Sequence, residues 1–331
     1  MVAAVVAEAE PLLPVILGPT GSGKTALSVA LALRFGGEVI SCDSVAVYRG
    51  FEIGTAKPSM EQRALVPHHL IDVASPAQPY TAGDYSRDAR AAIRDISARG
   101  RLPIVSGGTG LYLRALLNGL FAGPTRSEEI RQRLRGSADR HASGWLHRLL
   151  ERLDPPAATR IHPNDTPKLI RAIEVALSAR EAMTEAWKRG NEPLRGFRVL
   201  RIGLAPEREK LYARIDARAE AMFSEGLVEE TARLLALFAQ PHGEHQCAPP
   251  KTCPDLKVFD TLGYRQARAY LRGELSLAEA IAQTRQGHRN YAKRQGTWFR
   301  REPDVHWLRG FGDEAAVLEA ATVLLRERLE Q

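Results

Sequence analysis

Apolar positions along this chain follow two different rhythms. Short apolar runs centred on Val15–Leu17, Glu38–Ser41, His69–Val73 and Leu102–Val105 have the length of buried strands. Between them, Ala26–Phe35 and Tyr85–Arg99 carry apolar residues at helical spacing, the first stopped by Gly36-Gly37. This alternation predicts an α/β fold, a parallel doubly wound sheet core flanked by helices. From Pro124 to Gly196 the strand signal disappears. Amphipathic stretches broken at Gly136, Gly144, Pro155-Pro156, Pro163, Pro167 and Gly190 predict an all-helical insertion there. Phe197–Leu204 restores a strand, and the rest reads as helical apart from a late strand at Val305–Leu308 and a Pro-rich polar loop at Gln240–Pro254. The expected organisation is a core of residues 1–123 plus 197–331, interrupted by a helical insertion at 124–196.

The first strand runs into GPTGSGKT, where Gly18, Gly23, Lys24 and Thr25 satisfy the phosphate-loop pattern between a strand and a helix. Backbone N–H groups along Gly18, Pro19, Thr20, Gly21, Ser22 and Gly23 and the following helix N-terminus suit phosphate oxygens; proline contributes only shape. Lys24 adds a point charge, and the Thr25 hydroxyl suits Mg²⁺. A nucleoside-triphosphate hydrolase also needs an acidic residue closing a hydrophobic strand. Leu102–Val105 instead ends in Ser106-Gly107-Gly108-Thr109-Gly110, which disfavours ATP hydrolysis. The nearest strand-end carboxylate is Asp43, placed to take a proton or order magnesium, although from position alone a turn or helix-capping aspartate is the more ordinary reading. Arg214 and Arg218, one helical turn apart, either face the diphosphate or form a solvated basic face.

Composition narrows the setting. With 331 residues and 44% hydrophobic content, the chain can bury a full core. Met1–Ala7 lacks a basic flank and is too short to span a bilayer, so it reads as a frayed tail. Three cysteines, Cys42, Cys247 and Cys253, argue against a disulfide framework and for the cytoplasm. Cys247 and Cys253, near His242 and His245, match zinc spacing poorly. The adjacent His68 and His69 point to opposite faces and read as structural. A net charge of +7 fits a polyanionic partner.

Several ordered motifs then carry a resemblance that spans most of the chain: GPTGSGKT, ISCDSVAVYRGFEIGTAKP, VPHHLIDV, IVSGGTGLYLRALL, NDTPKLIRAIEV, LGYRQA and YAKRQGTWFRR. Together they resemble the tRNA dimethylallyltransferases, or tRNA isopentenyltransferases. The resemblance implies transfer of a dimethylallyl group from dimethylallyl diphosphate to N6 of adenosine 37 in tRNA, with Mg²⁺ and without a membrane, by an enzyme expected to be a monomer. It implies that the phosphate loop grips the prenyl diphosphate, with Lys24 foremost in stabilising the departing diphosphate. It gives Asp43 the N6 proton and sets Thr109 beside the reacting groups; Thr109 also suits a helix N-cap. Ser44, Val45 and Ala46 would lie along the extruded base. Many members carry Gln where this chain has Ala46, so a contact through that side chain is not carried over.

For tRNA, the resemblance assigns Arg131 and the segment Pro167, Lys168, Leu169, Ile170 and Arg171. The insertion becomes a clamp on the anticodon stem-loop, with Lys168 and Arg171 on phosphates. Leu169 and Ile170 also suit core packing. Tyr264, Arg265 and Gln266 of LGYRQA join the expected RNA surface, as do Arg289, Lys293 and Arg294, which share a helix with Arg285, Arg300, Tyr291, Trp298 and Phe299. Ile281, His288, Tyr291, Gln295 and Trp298 recur near helical spacing there and also read as a core-facing stripe. A P-loop kinase and an RNA-binding regulator with a nucleotide switch remain the alternatives from the residues alone.

Overall fold

A computed structural model describes residues 10–121, 123–188, 190–239 and 256–331. Six strands, β1 (Leu12–Leu17), β2 (Gly37–Cys42), β3 (His68–His69), β4 (Leu102–Gly107), β5 (Arg198–Leu204) and β6 (Val305–Leu308), form one sheet in the order β3-β2-β4-β1-β5-β6. Every neighbouring pair is parallel. β1 is buried along its whole length. Leu12 and Ile16 join a core with Leu27, Leu31, Val39, Ile104, Ile202 and Leu325, while the alternate residues Leu13, Val15 and Leu17 are equally enclosed. A strand covered on both faces reads as a continuous apolar run, which is why LLPVIL stands out in the sequence. The helices, in chain order, are α1 (Lys24–Phe35), α2 (Met60–Leu65), α3 (Ala82–Ala98), α4 (Gly110–Asn118), α5 (Glu128–Arg140), α6 (Trp145–Leu153), α7 (Pro155–Arg160), α8 (Thr166–Ala179), α9 (Met183–Lys188), α10 (Arg208–Ser224), α11 (Leu227–Ala239), α12 (Tyr264–Leu271), α13 (Leu277–Phe299) and α14 (Ala315–Leu329). None among the described residues is long and apolar enough to cross a membrane.

The chain divides into two compact units, residues 1–116 with 195–331, and residues 117–194. The first carries the sheet. The second holds α5–α9 around its own core of Leu134, Leu150, Ile161, Ile170 and Ile173. This unit begins before Pro124 because Leu194 N–H donates to Leu117 O at 2.9 Å and Phe121 bridges Asn191, closing its neck. Pro and Asx chemistry starts its helices. Asp154 and Asp165 cap α7 and α8, each with proline in the first turn, so breakers in the sequence become helix starts.

One expected strand is shorter than the apolar run proposed. β3 covers only His68–His69, because Leu70 (φ 61°) and Asp72 (φ 58°) adopt left-handed backbone and turn the chain away. The late strand and the strand after the insertion are present as β6 and β5. The terminal tail, the loop Gln240–Pro254 and Cys247 and Cys253 lie outside the described residues.

Candidate active site

In an open parallel sheet the ligand crevice lies beyond the carboxyl ends of the strands, at the point where strand order reverses. β1 sits between β4 and β5 there, and its carboxyl end continues into the phosphate loop. Gly21 (φ 81°) and Gly23 (φ 87°) take left-handed backbone that L side chains rarely adopt. At Gly23 a Cβ would come within 2.7 Å of Gly312 N, so glycine also permits the close approach of the Phe311–Asp313 loop, where Gly312 N–H donates to Ser22 O at 2.9 Å. Lys24 Nζ donates to Gly18 O (3.0 Å) and Pro19 O (2.8 Å), folded over its own loop. Burial and then the nearby Arg218 push its ammonium down to about 8.

Arg218, on α10, donates to Thr20 Oγ1 at 2.6 Å, and its Nε is buried without a partner among the described residues. Burial, above all, lowers its pKa. A half-buried guanidinium that, among the described residues, meets a hydroxyl and no carboxylate is prepared to receive an anion. Arg214 lines the same cleft but is committed elsewhere, forked onto Asp313 (2.8 Å for Nη1–Oδ1) and stacked 4.5 Å above Phe311.

Asp43 follows β2. Its Oδ1 accepts the N–H groups of Val45 (2.8 Å) and Ala46 (3.2 Å), which makes it a turn aspartate with Oδ2 left for other work. Thr109 lies across from it and fixes the same turn, its Oγ1 accepting Ser44 N–H at 3.0 Å and donating to Ser44 Oγ at 3.3 Å. Thr109 carbonyl starts α4 by accepting Leu113 N–H, while its side chain holds the Asp43 turn instead of capping. Ala46 is buried, and Ser44 and Val45 are partly exposed.

Two clefts open here. One, of about 350 Å³, includes Lys24, Thr25 and Arg214; the other, of about 500 Å³, includes Val45, Arg265, His288 and Arg294. They share the wall formed by Thr20, Asp43, Thr55, Ala56, Arg218 and Tyr291. Sequence reasoning missed Gln295, which joins the loops behind that wall. Its Oε1 accepts Thr20 N–H at 2.7 Å and its Nε2 donates to Gly108 O at 2.8 Å. An amide in an otherwise core-facing stripe of α13 was the available signal.

Several expected RNA contacts are placed differently. Tyr264 is fully enclosed, its phenol bonded to Glu230 and accepting Gly54 N–H at 3.1 Å; Gln266 is enclosed too, accepting Gly263 N–H at 3.0 Å. Both serve the core because LGYRQA forms the start of α12, with only Arg265 of the three exposed and on the second cleft. Arg289 is forked onto Asp216, and Arg285 pairs with Glu220. Lys293 and Arg294 are exposed, with Arg294 5.7 Å above the Tyr291 ring. Phe299 is buried.

In the helical unit, Leu169 and Ile170 point into the core. Arg131 (Nη2–Oε2 2.8 Å) and Arg171 (Nη1–Oε2 2.8 Å) are drawn to the buried carboxylate of Glu174, which also accepts Ser127 N–H at 2.6 Å. Burial pushes the Glu174 carboxyl up, and these bonds outweigh it and hold it down to about 2. Arg131 and Arg171 therefore hold the fold of this unit. Pro167 and Lys168 stay exposed, Lys168 paired with Asp165 at 2.5 Å. His68 and His69 bind no shared partner: His68 Nδ1 meets Val66 O and His69 Nε2 meets Glu38. No group of three or more His, Cys, Asp or Glu gathers for a metal among the described residues.

Comparison with known proteins agrees with this geometry. The family model described as IPP transferase matches residues 46–302, and that of isopentenyl transferase matches residues 12–67. The chain is 58% identical to a tRNA dimethylallyltransferase of Koribacter versatilis, over 96% of this chain and 99% of the relative, and 51% identical to one of Solibacter usitatus, over 92% and 95%. Among solved structures, the full-length tRNA isopentenylpyrophosphate transferase of Bacillus halodurans superposes with a TM-score of 0.69 at 36% identity, covering 97% of both chains. A eukaryotic dimethylallyltransferase acting on tRNA superposes at 0.77 and 26% identity, covering 97% of this chain and 80% of that one. With these matches across the phosphate loop, the Asp43 turn and the helical unit, the chain belongs to the IPP transferase family of tRNA dimethylallyltransferases.

Proposed function

We propose that the protein transfers a dimethylallyl group from dimethylallyl diphosphate to N6 of adenosine 37 of tRNA, releasing diphosphate. One observation supports this above the rest: Asp43, Arg218 and Thr20 belong to both clefts, so a diphosphate held by the phosphate loop and a base in the second cleft meet at one wall. Arg218 and Lys24 bind the diphosphate and balance the negative charge that grows as the carbon–oxygen bond breaks. Asp43 Oδ2 accepts the N6 proton as the new carbon–nitrogen bond forms, while Oδ1, held by two amides, keeps the carboxylate aimed. Thr109 keeps that turn in place.

Magnesium fits the first cleft. Thr25 and Asp43 place hard oxygen donors on its wall, and Mg²⁺ typically takes one or two protein oxygens with phosphate oxygens and waters. When bound there it would neutralise diphosphate charge. The exposed Lys168, Arg265, Lys293 and Arg294 are the cations we assign to the anticodon stem-loop. Cytoplasmic action as a monomer accords with a tRNA substrate and sparse cysteine. The test is incubation with dimethylallyl diphosphate, Mg²⁺ and unmodified tRNAs bearing adenosine 37, followed by digestion and mass spectrometry. Prenylated adenosine is the expected product; phosphate transfer from ATP without it would replace this reading with a kinase.

A further inference from the structure

A wall shared by two clefts must be held at one position, because the bond to be made crosses it. Part of that wall is the backbone around Thr55 and Ala56, and Ala56 sits at φ 50°, a left-handed conformation that is unfavourable for a non-glycine residue. Such a segment keeps its place only when its surroundings dictate it.

Glu230 on α11 does so. Its carboxylate, with the residue 7% exposed, accepts Glu52 N–H (3.2 Å) and Ile53 N–H (3.2 and 3.3 Å), and the Tyr264 phenol donates to it. The same phenol accepts Gly54 N–H at 3.1 Å, so three successive amides are tied to one carboxylate and one phenol. Gly54 is required for this approach, since a Cβ there would lie 2.4 Å from the Tyr264 ring. Phe51 packs edge-on against the ring at 4.9 Å. From the far end Lys57 Nζ pins the segment to Tyr48 O (2.8 Å), Asp72 (2.5 Å) and Glu52 (3.1 Å). A buried carboxylate compensated by amides and a phenol, with no cation on it among the described residues, is costly to keep as mere packing. What it achieves is the fixed position of Gly54–Ala56.

We infer that Glu230 is a positioning residue for the transfer: it lines neither cleft, and through Tyr264 and the Glu52–Gly54 amides it fixes the strip of backbone that borders both. The inference rests on the prenyl-transfer reading. Misplacing a wall of a reacting site lowers turnover more than binding.

The experiment compares wild type, Glu230→Gln and Tyr264→Phe in the product assay, with dissociation constants for tRNA and dimethylallyl diphosphate and with melting temperatures. Wild-type product formation comes first, and its absence would overturn the prenyl-transfer reading itself. Given wild-type product, Glu230→Gln is expected to lower kcat about tenfold with both dissociation constants nearly unchanged. Tyr264→Phe should lower it less, and the double variant less than the product of the two, as residues sharing one segment do. A lower melting temperature with unchanged kcat in either variant would make the cluster structural and overturn the proposal. So would equal losses in binding and turnover. Should Glu230→Gln fail to fold, Tyr264→Phe decides the question alone.

Discussion

The single residues that matter most here differ in how visible they are to sequence reading. Lys24 and Asp43 declare themselves locally, one by spacing in the phosphate loop and the other by its place after a strand. Gln295 and Glu230 do not, because what each holds lies far along the chain: Thr20 for Gln295, Glu52 and Ile53 for Glu230. Asp43 has a structural duty through Oδ1, so Asp43→Asn, which keeps an acceptor for the Val45 and Ala46 amides, separates the two roles. It is expected to lower kcat by about 10²–10⁴, the range of general-base catalysis, with tRNA binding retained in a filter or anisotropy assay. Lys24 offers a pH signature. Its ammonium is pushed down to about 8, so the free protein loses the proton as pH rises through that value, whereas a bound diphosphate favours the charged form. Affinity for dimethylallyl diphosphate should therefore be level below pH 8 and fall above it, with net proton uptake on binding near pH 8.5 in calorimetry across buffers of different ionisation enthalpy. Lys24→Met should remove that pH dependence.

At the level of elements, periodicity located most strands and helices because β1 and α1 are buried in the patterns their lengths suggest. It failed at β3, where left-handed Leu70 and Asp72 end a run that composition alone would extend. It was ambiguous on α8, whose motif mixes exposed Lys168 with buried Leu169 and Ile170 and with Arg171, which is turned inward to Glu174. No local rule separates an arginine that meets RNA from one that meets a buried carboxylate. That carboxylate should dominate the stability of the helical unit. Glu174 titrates near 4.5 when unfolded and about 2 when folded, so its contribution is complete above pH 4.5 and is lost as pH falls from there towards 2. Glu174→Gln leaves Arg131 and Arg171 without their counter-charge and is expected to destabilise the unit by about 3 kcal/mol at pH 7, with a smaller difference at pH 3. Urea unfolding followed by Trp145 and Trp187 fluorescence, with Trp298 and Trp307 replaced by Phe, measures it; an unchanged midpoint at pH 7 would show the ion pairs to be dispensable.

The whole molecule combines two units with separate cores, and the division bears directly on function. The sheet unit contains every residue of both clefts, whereas the helical unit leaves and rejoins the chain through one neck. Leu194 N–H meets Leu117 O, and at Gly119 a Cβ would lie only 2.2 Å from Glu192 O, so the two chain ends run side by side. Adjacent ends let a unit be removed without stretching what remains. Replacing residues 117–194 by a short Gly-Ser linker between Leu116 and Arg195 should therefore give a folded α/β protein. Its circular dichroism should retain the sheet, and calorimetry should return a dimethylallyl diphosphate affinity close to that of the full chain, since Lys24, Thr20 and Arg218 all stay. Of the cations we assign to the anticodon stem-loop, only Lys168 leaves with the helical unit, while Arg265, Lys293 and Arg294 stay, so tRNA affinity and prenylation are expected to fall together. Unchanged tRNA affinity would leave the whole RNA interface on Arg265, Lys293 and Arg294 of the sheet unit and remove Lys168 from it. Loss of diphosphate binding in a folded deletion protein would mean that the phosphate loop needs the helical unit to hold its shape, against the self-contained network of Gln295, Gly312 and Arg218 that surrounds it.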